Sequence, residues 1–169
     1  MIKYAKLPGN IEQLLPNSRN TMDEREGIIK HLKKFFAERA SFYGVEMVFL
    51  FGSWATGIPR QDSDIDIAVV FRDELSEEGC FGRMTDISVL LSTELKREVN
   101  VITIYKDFRK PMLYYNAIIS GIPLWILDGD QFVKLKTEAL FHMEDYSIFG
   151  PAWRYEATRR NLEGLRDSK

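Results

Sequence analysis

Apolar positions along the chain alternate between helical and strand-like periods. Ile28, Leu32, Phe35, Phe36 and Phe42 recur at helical spacing on one face, interrupted only by Arg39. Thr21 followed by Glu24 has the spacing of a capping box, which predicts a helix start at Thr21, and Gly44 supplies a left-handed stop. Val45 to Phe51 is an apolar run too short for a helix and bounded by glycines, so it predicts a buried strand. A second strand is predicted over Ile65 to Phe71, then a charged, glycine-containing connection over 72–83. Ile87, Leu90, Leu91 and Leu95 mark the next helix, and the β-branched run Val99 to Ile104 a third strand. A helix from about Pro111 to Ser120 stops at Gly121, and a short apolar stretch follows at Leu124 to Leu127. Residues 130–169 are helical in pattern, with an interruption predicted at Gly150-Pro151. Strands alternating with helices place the chain in the α/β or α+β class with a mixed sheet. Helices are expected on one side of that sheet, extended by C-terminal helices.

Composition narrows this picture. At 169 residues, with 45% apolar and 12% aromatic side chains, one domain with a real core is expected. Residues 1–20, with turn signals at Pro8-Gly9 and Pro16-Asn17, read as an N-terminal arm; 21–128 read as the domain body and 129–169 as a helical extension packed on it. The net charge of −2 argues against a general grip on nucleic acid. No apolar run approaches the roughly 18 residues that cross a bilayer, and the first ten residues lack a signal-type apolar core. Cys80 is the only cysteine, which excludes an internal disulfide and a cysteine-built zinc site. A cytoplasmic chain is the expectation.

Candidate chemistry concentrates between the first two strands: Gly52-Ser53, then ten residues, then Asp64-Ile65-Asp66. Side chains alternate along a strand, so Asp64 and Asp66 point to one face, while Ile65, Ile67, Val69 and Phe71 point to the other. Carboxylates about 6.6 Å apart along a strand repel each other unless a cation lies between them. Hard oxygen donors favour Mg²⁺ or Mn²⁺, whose shell is commonly completed by substrate phosphates. Gly52 lets the backbone approach a phosphate, and the Ser53 hydroxyl with the N–H groups of the following turn can hold phosphate oxygens. A bare Asp-x-Asp would read as an exposed strand end; two parts at a fixed interval, each at the end of a strand, favour a site.

Leu50-Phe51-Gly52-Ser53, Gly57 and Asp62-Ser63-Asp64-Ile65-Asp66 resemble the signature of the polymerase-β-type nucleotidyltransferases, in the spacing of their minimal (MNT-type) branch. The likeness extends through Lys96 to Ile104 and Pro111 to Gly121 and covers about residues 22–145. It implies the nucleotidyltransferase fold, with Asp64 and Asp66 as catalytic metal ligands and Gly52 and Ser53 holding the triphosphate of ATP. It also implies Mg²⁺-dependent transfer of AMP to a hydroxyl with release of pyrophosphate. Many MNT proteins are antitoxins that adenylylate a HEPN-type ribonuclease toxin, so such a toxin is the implied protein partner. Others in the superfamily modify antibiotics, and a homodimer would be needed for a shared acceptor pocket. Two departures stand out. The family's third carboxylate falls where this chain has Asn100, with Glu98 two residues back as a poor substitute. Thr56 occupies a position that is often Arg; Arg60, Arg72, Lys106 or Arg109 are the candidates to supply phosphate-facing charge instead. Asn100 cannot serve as a general base, so a non-catalytic antitoxin that acts by binding is the rival reading.

Weaker features read as structural. Arg25 and His31 loosely match the Arg-to-His spacing of HEPN sites but fit a solvated helix face. His142 has no metal-ligand neighbours, and Cys80, read as lying in a loop, has no cationic cluster. Tyr114 and Tyr115 read as core and pocket wall. Trp153 and Tyr155, with several arginines nearby, mark either a weakly packed terminal helix or a partner-docking one.

Overall fold

The computed structural model describes the backbone of residues 18–72 and 75–166 and the side chains of 22–72 and 75–148. The elements run α1 (Ser18–Tyr43), β1 (Val45–Phe51), α2 (Gly52–Thr56), β2 (Ile65–Phe71), α3 (Glu77–Leu95), β3 (Val99–Thr103), α4 (Pro111–Ile118), β4 (Ile122–Ile126) and α5 (Gly129–Arg166). The four strands form one sheet in the order β3-β2-β1-β4. β1 is antiparallel to both neighbours, whereas β2 and β3 are parallel and joined through α3, as a parallel pair requires a crossover. The sheet is therefore mixed, as the alternation of periods predicts.

Helices cover both faces, correcting the expectation of helices on one side. α1, Trp54 of α2 and α3 bury against Val48, Leu50, Ile67 and Val69. α4 and the first turns of α5 bury against Met47, Phe49, Ala68 and Val70. Strict alternation would set Val45 beside Met47, but a bulge between them turns Val45 to the α1 face. Gly121, which follows α4, has no room for a Cβ against the carbonyls of Ala117 and Leu50, so the chain can enter β4 close to β1 only through glycine.

Local signals misplace several boundaries. The first helix already runs at Ser18, so Thr21 lies inside it, and Glu24 pairs with Arg97 of the α3–β3 connection. Its buried face is Ile28, Leu32, Phe35, Phe36, Ala40 and Tyr43; Phe42 lies off that stripe and is 79% exposed. Most of the predicted 72–83 connection is helix. Ser76 caps α3 by accepting from the Gly79 N–H at 3.1 Å, with Glu77 and Glu78 in the first turn. Gly79 and Gly82 read as loop residues, yet helical packing around the buried Cys80 outweighs their propensity. The apolar stretch near 124 is the edge strand β4. α5 runs through Gly150-Pro151 as one helix, so the predicted interruption does not divide it. The predicted arm over residues 1–17 and the side chains of Trp153 and Tyr155 lie outside the described residues.

Candidate active site

The site lies at one end of the sheet, where β1 finishes and β2 and β3 begin. Antiparallel register sets Phe51 opposite Asp66, so the chain leaving β1 at Gly52 passes directly beside the Asp66 carboxylate. Gly52 has φ +72, and a Cβ there would collide with Asp66 Oδ2. Only glycine satisfies both the left-handed backbone and that close approach. A five-residue helix follows at once. The residue that caps its C-terminus, Gly57, φ +84, returns its N–H to the Ser53 carbonyl. Trp54 is buried, so Ser53 stands half-exposed on the outer side of this turn.

Parallel register places Asn100 opposite Asp66. The Asn100 amide stands between the two carboxylates: Nδ2 donates to Asp64 Oδ2 at 3.4 Å and also favours the ionised form of Asp66. Burial, and then the negative charge of Asp64, raise the Asp66 carboxyl above its ordinary value, more than the Asn100 amide lowers it. Asp64 and Asn100 are exposed and Asp66 is half-buried. The structure thus brings together Gly52, Asp64, Asp66 and Asn100, with Ser53 next in the chain. Glu98 precedes β3 and holds β2 through its backbone, its carbonyl accepting from the Ile65 N–H at 2.9 Å. Among the described residues no group of three or more His, Cys, Asp or Glu side chains could hold a metal ion, and position 100 offers an amide beside the two carboxylates.

Of the four basic candidates for phosphate contact, three are at the other end of the strands. Arg72 follows the last residue of β2, some 20 Å from Asp66 at about 3.3 Å per residue. Lys106 follows the corresponding end of β3. Arg109 is committed to Asp107 and Glu77, both at 2.9 Å, and stacks over the Tyr105 ring. Arg60, on the α2–β2 connection, is the one at the site's end. The cleft of about 560 Å³ bounded by Glu46, Lys106, Leu127 and Gln131 also lies at the far end.

A clamp behind α2 had no sequence signal, because its two arginines donate to carbonyls 29 to 36 residues away in the chain. Arg25 donates to the carbonyls of Trp54 at 2.7 Å and Ala55 at 2.9 Å, near the exposed C-terminal end of the short helix. Arg97 stacks over the Trp54 ring at 5.2 Å and donates to the Gln61 carbonyl at 2.7 Å. The Trp54 indole donates to the Ser63 carbonyl at 3.1 Å, and the Ser63 hydroxyl accepts from the Arg60 N–H at 2.8 Å. These bonds fix the connection that delivers Asp64. Arg25 is therefore a brace, and His31 pairs with Glu94 at 2.8 Å, so their spacing has a structural cause. His142 stacks on Phe108, and burial raises the Cys80 thiol. Tyr114 is core, as expected.

Among the described residues no helix is long and apolar enough to cross a membrane. No curated protein matches the chain in sequence. Three solved structures share the fold at low identity. A toxin-antitoxin with AMP-PNP is 19% identical, with TM-score 0.55 over 68% of this chain and 87% of that one. A mutant of the toxin-antitoxin MntA-HpeT is 15% identical, with TM-score 0.59 over 75% and 98%. A complex of tri-AMPylated Shewanella oneidensis HEPN toxin with MNT antitoxin is 15% identical, with TM-score 0.56 over 77% and 98%. The family model for the polymerase beta nucleotidyltransferase domain matches residues 30–130, a span that holds all four strands, Gly52-Ser53 and both aspartates. By that match the chain belongs to the polymerase beta nucleotidyltransferase family.

Proposed function

We propose that this domain transfers AMP from ATP to a hydroxyl of a partner protein, with pyrophosphate leaving. The observation that carries the reading is the pair Asp64 and Asp66 on one face at the start of β2, with the Gly52 backbone seated against Asp66. Two hard oxygen donors, with the Asp66 carboxyl raised by burial and then by the charge of Asp64, suit a divalent cation, Mg²⁺ or Mn²⁺, which would relieve the repulsion between them. When bound, such a cation neutralises charge developing on the reacting phosphates. Asp64 and Asp66 would hold it. Gly52 leaves the backbone open toward a phosphate, and Ser53 can donate its hydroxyl to a terminal phosphate oxygen. Arg60 is the available cation on the same side.

Asn100 sets the expected rate. Its amide can orient the two carboxylates but cannot accept the acceptor's proton, and loss of general-base assistance costs about 10²–10⁴-fold. That same residue favours a second reading, a nucleotide-binding antitoxin that acts by covering its partner. The choice of a protein acceptor rests on the similar structures described as toxin-antitoxin complexes, one with AMP-PNP and one with an AMPylated HEPN toxin. A HEPN-type toxin is accordingly the proposed acceptor.

The test is transfer of label from α-labelled ATP with Mg²⁺ into a HEPN-type toxin and into host lysate, comparing wild type, Asp66→Asn and Asn100→Asp. A labelled protein band that Asp66→Asn abolishes supports transfer. Label in small molecules alone replaces the protein acceptor with a small one. Absence of transfer by wild type and Asn100→Asp, with Mg²⁺-dependent ATP binding retained, refutes catalysis and leaves the binding role.

A further inference from the structure

Asp64, Asp66 and Asn100 share one face of the sheet. The two aspartates do so by alternation at the start of β2. Asn100 does so because it is the register partner of Asp66 on β3, and side chains paired across neighbouring strands point to the same side. Its side chain is exposed, and among the described residues it bonds only within this group.

An amide has two unlike ends. Its NH₂ donates and its oxygen accepts, whereas an ionised carboxylate can only accept. Beside two carboxylates the amide must therefore present its NH₂, and it does: Nδ2 donates to Asp64 Oδ2 at 3.4 Å and also bonds toward Asp66. The positive end of the amide dipole is thereby turned toward the oxygens that would hold a divalent cation. An NH₂ group and a cation seek the same lone pairs and repel each other. To admit the cation, the amide must swing out or invert.

We propose that the Asn100 amide is a built-in counter-charge that competes with the divalent cation for Asp64 and Asp66, rather than a third ligand. This role rests on the proposed binding of a cation by those two aspartates, and adds that the chain itself opposes a cation arriving alone. Removing the amide therefore tightens cation binding, even though an oxygen leaves with it. Removal of a ligand has the opposite sign. A triphosphate carries full negative charges of its own, so a cation that arrives with it is held against the amide more strongly than a free one.

Binding of Mn²⁺ alone to the full chain, followed by the electron-spin resonance signal of the free ion, tests this. Wild type, Asn100→Ala, Asn100→Asp and Asp66→Asn are compared. Asn100→Ala is expected to bind Mn²⁺ roughly three- to tenfold more tightly than wild type, as befits the loss of a long hydrogen bond to a charged group. The position is exposed, so this substitution leaves the core untouched. The same interaction supports the metal-free fold. Asn100→Ala is thus also expected to melt below wild type without metal and to gain more from added Mg²⁺. Asn100→Asp, with a true third carboxylate, is expected to bind tightest of all. Mn²⁺ binding by Asn100→Ala that is unchanged or weaker overturns the proposal. Asp66→Asn tests the underlying reading separately. If it weakens Mn²⁺ binding while Asn100→Ala does not strengthen it, the aspartates hold the ion and only the role of Asn100 is wrong. If no variant binds Mn²⁺, or all bind it as Asp66→Asn does, that reading and this role fall together.

Discussion

Replacing Gly52 by alanine separates backbone strain from damage to the site, because Gly57 provides the matched control. Both glycines are left-handed, at φ +72 and φ +84. A left-handed non-glycine residue costs roughly 1–2 kcal/mol, so both variants should lose about that much stability. Their surroundings differ. A Cβ at Gly57 meets nothing closer than the Arg25 guanidinium at 4.0 Å, whereas at Gly52 it strikes Asp66 Oδ2, which must retreat by about 1 Å to reach ordinary contact. Displacements of about that size in a catalytic constellation can cost 10²-fold in rate. Urea unfolding should therefore give similar losses for Gly52→Ala and Gly57→Ala. Nucleotidyl transfer, or Mn²⁺-dependent ATP binding measured by calorimetry, should fall about 10²-fold for Gly52→Ala and within a few-fold for Gly57→Ala. Equal losses of function in the two variants would show that the approach of Gly52 to Asp66 is irrelevant to the site. A Gly52→Ala protein with normal function and only the stability loss would refute the reasoning more directly.

Other consequences can be measured with the same preparations. Asn100→Asp adds a third negative charge beside Asp64 and opposite Asp66; without metal it should lower the melting temperature, Mg²⁺ should restore it, and transfer should rise by about 10²-fold or more if the missing base limits the rate. The folded-state pKa of Asp66 is raised, so its contribution to stability is present below the unfolded value of 3.8 and is lost as pH rises through the raised value. Urea titrations from acid to neutral pH should accordingly show metal-free Asp66→Asn to be more stable than wild type at neutral pH, with the difference vanishing in acid. Arg97→Met removes the bond to Gln61, the pair with Glu24 and the stacking on Trp54; a loss of about 2 kcal/mol in urea is expected, with faster hydrogen exchange confined to the α2–β2 connection.

Local chemistry wrote much of this fold into the sequence. β1 and β2 begin and end where their largely apolar runs do, Glu46 and Asp66 being the half-buried polar positions, because a buried strand is mostly apolar and a glycine or charge at each end stops it. The pair Asp64 and Asp66 was legible for the same reason: alternation sends both to one face while Ile65 and Ile67 fill the core. Helix limits were less legible. The Thr21 box lies within α1, Ser76 rather than a later residue starts α3, and Pro151 does not end α5. Each of these signals is a local preference of about 1–3 kcal/mol, small enough for packing or neighbouring turns to override.

The sequence by itself determined the periodicity, the two aspartates on one face, the glycine and serine that precede them, and the amide at position 100. Only the tertiary structure decided that Phe51 lies opposite Asp66, so that Gly52 must be glycine, and that Asn100 stands opposite the same carboxylate. It decided too that Arg25 and Arg97 brace the short helix, while Arg72, Lys106 and Arg109 are at the wrong end of the strands. The physical reason is range. Side-chain alternation and chain reversal are set by neighbours along the chain, whereas strand register and ion-pair choice are set by groups tens of residues apart that meet only once the core has closed.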